Sequence, residues 1–74
     1  MKVYIVDIET RKNDRDDTLG PFTTFAKAVD AMREHFSNWT LQELAEYTEY
    51  GSNFNEGKIF TEEESVEIIE RELQ

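Results

Sequence analysis

A chain of 74 residues with no cysteine has to hold itself together with one thin apolar layer, because no disulfide or thiolate metal site can stand in for a core. A domain of this length buries only about 60% of the surface that its unfolded chain exposes. Hydrophobic residues make up 38% of the chain and charged ones 34%, so the nine aromatic side chains must supply much of the buried area. No linker and no internal repeat divides the sequence, which reads as a single domain over residues 1–74. The longest apolar run, Val3-Tyr4-Ile5-Val6, is far shorter than the roughly 20 residues of a membrane span, and no signal segment with a cleavage site is visible. The expectation is a cytoplasmic protein with no membrane partner.

The pattern along the chain predicts an α+β domain: an N-terminal strand, a short second strand, and two or three helices packed on them. Residues 2–10 are rich in β-branched and aromatic types without a breaker and read as a strand, with Tyr4, Val6 and Ile8 on one face and Val3 and Ile5 opening the other. Residues 11–18 hold no apolar side chain and read as a loop or a wide hairpin end. After Gly20-Pro21-Phe22, Thr23 is placed to cap a helix that runs to about Ser37. Its stripe of Phe25, Val29, Met32 and Phe36, with Ala28 beside it, should lie on the first strand. His35, at the stripe's margin, reads as a boundary residue rather than a catalyst.

Thr40-Leu41-Gln42-Glu43 is a capping box, with Trp39 and Leu44 at the two positions of a hydrophobic staple, and opens a second helix that ends near Tyr50 before Gly51. Lys58-Ile59-Phe60 reads as a short strand beside the first. For the last segment, Thr61-Glu62-Glu63-Glu64 is again a capping box, and Glu67 and Arg71 stand four apart, so a third helix is expected. Val66 and Ile68 alternate as a strand would, and on a helix Ile68 would point away from the stripe of Val66, Ile69 and Leu73, which keeps a strand open as the alternative. Every acid after position 37 is Glu, the better helix former, so helices should dominate that half.

Charge narrows the function. The net charge is −9. Residues 1–37 carry six basic and seven acidic side chains, whereas residues 38–74 carry two basic and ten acidic. Such a field repels phosphate and favours a protein partner with a basic surface over direct binding of nucleic acid. On helices, Glu43, Glu46 and Glu49 would form one ridge and Glu63, Glu67 and Glu70 a second, with neighbours about 5–6 Å apart, near the spacing of nucleic-acid phosphates. Tyr50 and Phe54 flank a loop and are the aromatics most available to a partner. A homodimer joined through an apolar patch that includes Ile68 is the alternative, without charge mimicry.

Catalytic motifs are fragmentary, and the chain does not read as an enzyme. Val6-Asp7-Ile8-Glu9-Thr10 resembles the first motif of exonucleases that use two metal ions, but no later histidine is followed at the right interval by aspartate. Asn13-Asp14-Arg15-Asp16-Asp17 offers alternating oxygen ligands for calcium, yet lacks the glycine of the bend and a closing bidentate Glu. There is no nucleophile elbow, triad order or phosphate-cradling loop, and no cofactor is expected.

Met1-Lys2-Val3-Tyr4-Ile5-Val6, followed by Gly20-Pro21-Phe22-Thr23-Thr24 leading into Phe25-Ala26-Lys27-Ala28, resembles the opening half of many small phage and mobile-element proteins. Some of these end in a strand. Small, acidic, cysteine-free phage proteins include anti-CRISPR and anti-restriction inhibitors that occupy a nucleic-acid site by mimicking its charge. The resemblance implies a phage-type viral protein that inhibits a host defence nuclease or complex in the host cytoplasm; the charge and aromatic pattern makes Glu43, Glu46, Glu49, Tyr50, Phe54, Glu63, Glu67 and Glu70 the expected partner-facing residues, with Ile68 the contact of the dimer alternative.

Overall fold

The computed structural model describes residues 1–11 and 15–73. The domain is α+β. Four strands, β1 (Lys2–Thr10), β2 (Arg15–Phe22), β3 (Lys58–Phe60) and β4 (Glu64–Glu72), form one antiparallel sheet in the order β2-β1-β4-β3. Two helices, α1 (Phe25–His35) and α2 (Leu41–Tyr47), and one 3-10 turn at Phe54–Glu56 connect β2 to β3. The central pair is β1 with β4, in register from Lys2 opposite Glu72 to Thr10 opposite Glu64.

As the alternation of its sequence requires, β1 sends Val6 and Ile8 to one face. Ile68 and Val66 stand opposite them on β4, and Ile59 stands beside Val66 on β3. The apolar stripe of α1 covers that face. Ala28, Met32 and Phe36 are buried against Val6, Ile8, Ile59 and Val66, with Tyr4, Leu19, Phe22 and Ile68 packed around them. Each large side chain buried this way contributes about 1.5–3 kcal/mol. The opposite sheet face carries the buried Val3 with Ile5, Asp7 and Glu9 on β1 and Glu67, Ile69 and Arg71 on β4, and no helix among the described residues packs on it.

Several local expectations hold. Lys58–Phe60 is a strand, and Thr40 and Glu43 form a reciprocal capping box in which Thr40 Oγ1 accepts the Glu43 N–H at 3.1 Å and Glu43 Oε1 accepts the Thr40 N–H at 3.0 Å. Others shift. The cap of α1 is Thr24, whose hydroxyl accepts the Lys27 N–H at 3.2 Å, rather than Thr23. The second helix stops at Tyr47, and β3 pairs with β4 rather than β1. Residues 15–22 form an edge strand hydrogen-bonded to β1 despite the polarity of Arg15–Thr18. The loop reading and the calcium reading at residues 12–14 lie outside the described residues.

The principal correction concerns the last segment, which is strand β4 and not a third helix. Thr61 Oγ1 accepts the Glu64 N–H at 3.1 Å, as a helix cap would, but the Thr61 N–H also donates to the Glu64 C=O at 2.8 Å and closes a tight turn between β3 and β4. A hydroxyl that accepts from the residue three positions on serves a turn as well as a helix start. What decides between them is β1, whose unpaired side requires a nine-residue partner, and the β-branched Val66, Ile68 and Ile69 suit a pleated surface. Ile68 therefore lies on the same face as Val66, half-buried beside the core.

The close approach of β4 to Gly57 provides a test. Gly57 has φ +71°, and a Cβ placed there would stand 2.9 Å from Ile68 Cδ1 and 3.0 Å from its Cβ. Gly51 also has positive φ, +93°, but nothing lies within 4 Å of a Cβ there. Gly51→Ala should cost roughly 1–2 kcal/mol of unfolding free energy from backbone strain alone. Gly57→Ala should cost about 1–2 kcal/mol more, because β4 must also shift. Urea denaturation of the two variants checks the difference.

Candidate functional site

The capping box that starts α2 also sets the direction of its acids. With Glu43 drawn back to the Thr40 N–H, Glu46 follows one turn later and accepts from Gln42 Nε2 at 3.3 Å. Trp39, immediately before the cap, packs edge-on against Phe36 of the core, with ring centroids 5.6 Å apart, and its other side meets Tyr47 in a second edge-on contact at 6.1 Å. The Trp39–Tyr47 pair is thus anchored on the core through Phe36 while Tyr47 stays more than half exposed.

The turn between β3 and β4 comes up against this pair. A bridge between Thr48 and Thr61 ties the end of α2 to the turn, and the hydrogen bonds of Thr61 to Glu64 hold Glu62 and Glu63 at its tip. Trp39, Glu43, Glu46, Tyr47, Thr61, Glu62 and Glu63 together line an open cleft of about 480 Å³. Four glutamates from two separate elements line it, and none has a basic partner within 4.0 Å among the described residues. Thr61 itself is buried. Such a cleft can take a cation: a guanidinium or ammonium over an indole or phenol face gains about 0.5–2 kcal/mol, and each exposed carboxylate near it adds about 0.2–1 kcal/mol.

The expected site residues are only partly gathered. Glu43, Glu46 and Glu63 line the cleft. Glu49 lies beyond the end of α2 and pairs with Arg11 at 2.9 Å, so the first ridge stops at Glu46. The second ridge does not exist. On β4, Glu67 and Glu70 point to opposite faces of the sheet, Glu67 beside Lys58 and Asp7, and Glu70 near Tyr4. Tyr50 is fully exposed, as expected of a loop residue, but Phe54 is half-buried against Phe36, with the Arg33 guanidinium 4.9 Å above its ring. Ile68 packs at the core's margin rather than on an outer patch.

Glu62 was not among the expected residues, nor was the Trp39–Tyr47 pair. Read as a helix start, Thr61–Glu64 would direct its acids along an axis; as a turn it leaves Glu62 and Glu63 lining a cleft with residues of α2. Asp7 and Glu9 do share a sheet face, but among the described residues no group of three or more His, Asp or Glu side chains is placed to hold a metal. His35 Nε2 lies 2.9 Å from Glu64 Oε1 at the edge of the helix layer.

Because Thr61 positions the acidic tip, Thr61→Val should lower stability by about 1–3 kcal/mol, leaving the Glu64 N–H without its partner. Hydrogen exchange should quicken first at Glu62–Glu64, ahead of the β1–β4 ladder. No protein-family model matches the chain, and no curated protein and no solved structure is detectably similar to it.

Proposed function

We propose that the protein works by binding a protein partner through a basic surface, with an arginine or lysine side chain of the partner seated in the cleft between Trp39, Tyr47 and the four glutamates. The observation that carries this reading is that Glu43, Glu46, Glu62 and Glu63 line one open cleft with the Trp39–Tyr47 pair. A helix face exposed merely for solubility scatters its charges. Here glutamates of two elements line one opening, next to rings that can stack on a cation. The wider charge of −9 would accelerate encounter, and the aromatic contacts would slow dissociation.

Within that reading, the resemblance to small phage proteins suggests the partner's class: a nucleic-acid-facing groove of a host defence effector, such as a CRISPR or restriction nuclease, whose substrate the protein would displace. Phosphate mimicry would then rest on the clustered carboxylates of the cleft rather than on helical ridges. Titration into purified effectors, with cleavage of their nucleic-acid substrates as the readout, tests this class. Unchanged cleavage at saturating protein across such effectors would count against it.

The cleft is tested directly with a capped hexa-arginine peptide as probe. Trp39 is the one tryptophan, so its emission should change on binding. Affinity should fall about tenfold or more between roughly 50 and 300 mM salt, as screening of exposed charges requires. Exchanging Glu62 and Glu63 for Lys should remove binding while leaving the circular dichroism unchanged. Binding that ignores both salt and that double substitution would refute the proposal.

A second reading, a homodimeric accessory module, draws on the sheet face away from α1, where the half-buried Ile5 and Ile69 stand opposite each other. It predicts salt-insensitive self-association that Ile69→Lys abolishes, measured by sedimentation. A monomer at high concentration would dispose of it.

A further inference from the structure

We infer that the outer edge of β2, from Asp16 to Leu19, is a strand-addition site for an extended peptide carrying an apolar and a basic side chain two positions apart, which enter two pockets beside α1.

The inference begins with hydrogen bonds. A sheet edge presents a row of unpaired N–H and C=O groups, and such a row takes another strand unless something covers it. The edge at β3 is covered, since the N–H and C=O of Lys58 and of Phe60 all bond to residues 49–53. The opposite edge, β2, pairs with β1 alone. The direction of its main-chain groups follows from β1. The Met1 C=O accepts the Leu73 N–H at 2.7 Å and the Arg11 N–H donates to the Glu63 C=O at 2.9 Å, so odd-numbered residues of β1 turn their groups to β4 and even-numbered ones to β2. Ile8 and Val6 are thus bonded to Asp17 and Leu19, and Asp16 and Thr18 face outward. The Thr18 N–H fits this phase, because its acceptor is Asp17 Oδ1, at 2.9 Å, and not β1. That bond is local and exposed. Among the described residues, nothing bonds to the Asp16 N–H, the Asp16 C=O or the Thr18 C=O. Beyond Leu19, a register irregularity and Pro21, which has no N–H, end the regular edge.

Side chains of the same stretch alternate between the two faces. Leu19 and Asp17, opposite Val6 and Ile8, lie on the helix face, and each lines a pocket there. Leu19, Phe22 and Ala31 give an apolar pocket of about 430 Å³, its lining completed by Gly20, Glu34 and His35. All three apolar side chains are only half-buried, and the small Ala31 leaves the space between α1 and β2 open. Next to it, sharing Leu19 and His35, is an acidic pocket of about 550 Å³ to which Asp16, Asp17 and Glu64 contribute. Glu64 is held by His35 at 2.9 Å, but neither aspartate has a basic partner within 4.0 Å among the described residues.

A strand added antiparallel to β2 would pair one residue with Thr18 and another with Asp16, and would send the residues opposite Leu19 and Asp17 to the helix face. The first of these suits a Leu that enters the apolar pocket, the second an Arg or Lys that enters the acidic one. An incoming carbonyl would replace Asp17 Oδ1 on the Thr18 N–H and release that carboxylate to the basic side chain. A second copy of the chain is the poorer occupant, since it brings its own Asp16 and Asp17 to the same short edge in a molecule of charge −9.

The site does not rest on the acidic cleft, and the two are tested separately. The probe is a capped peptide, Thr-Leu-Thr-Arg-Thr-Thr, titrated into the intact chain at about 150 mM salt and followed by amide NMR. Binding should shift the resonances of residues 16–20 and 31–35 and slow hydrogen exchange at the Asp16 and Thr18 amides. Asp16→Lys together with Asp17→Lys should weaken it about tenfold or more, and Ala31→Leu, which fills the apolar pocket, should weaken it severalfold. Exchanging Glu62 and Glu63 for Lys, which removes binding in the cleft, should leave the affinity of this site within about threefold at that salt. The same peptide N-methylated at its third and fifth residues, the ones that would face β2, keeps its charge but cannot pair. Equal affinity of the methylated peptide, no protection at Asp16 and Thr18 at saturation, or no binding at millimolar peptide would each overturn the inference. Loss of binding on the Glu62 and Glu63 exchange would overturn it by assigning the peptide to the cleft. Protection at Asp16 and Thr18 that grows with protein concentration without peptide would overturn it by assigning the edge to a second copy.

Discussion

The fold depends on the pairing of the first strand with the last. β1 is central, and without β4 it would have one open side and half of its helix-facing layer missing, because Val66 and Ile68 complete the surface that Val6 and Ile8 begin. The helix α1 needs that combined surface. Met32 and Phe36 are buried in one cluster with Val6 and Ile8 of β1 and Val66 of β4. In a chain without disulfides, this contact between its two ends has to be closed against the entropy of everything between them. The small core can repay that cost because it is continuous from β3 through β1 to α1.

That same economy shapes the surface. One helix of eleven residues covers one sheet face, and the remaining segment, from Ser37 to Gly57, packs at the margin. There the Phe36–Trp39–Tyr47 chain of edge-on rings carries core packing out to solvent, and the acids of α2 and of the β3–β4 turn gather about its exposed end. No buried side-chain polar atom is left without a hydrogen-bond partner among the described residues. The carboxylates of the cleft lie where water can reach them and a cation can replace it.

How far the sequence reveals this differs from element to element. The β1 alternation, the α1 stripe, the Thr40–Glu43 capping box and the Lys58–Phe60 strand each depend on neighbours in sequence, and each is where local pattern puts it. For the site, Glu43, Glu46 and Glu63 could be picked out as clustered acids. Their meeting with Glu62, Trp39 and Tyr47 could not, because it requires residues 61–64 to be a turn. Thr61 makes the same hydroxyl-to-amide bond to Glu64 in either conformation, so the signal that identified a helix start was real but not discriminating. Glu67 and Arg71, one helical turn apart in sequence, stand about 13 Å apart along a strand and lose the contact that their spacing promised.

Composition and local pattern by themselves determined a single α+β domain with a thin core and an acidic second half. They did so because hydrophobic period, capping chemistry and charge are properties of short stretches of chain. Tertiary structure alone decided that residues 64–72 extend beside β1, since a short segment with balanced local preferences takes the conformation that a long-range partner requires. That one decision dissolved a ridge of glutamates, turned Ile68 toward the core, and placed Glu62 and Glu63 in the lining of one cleft with Trp39 and Tyr47.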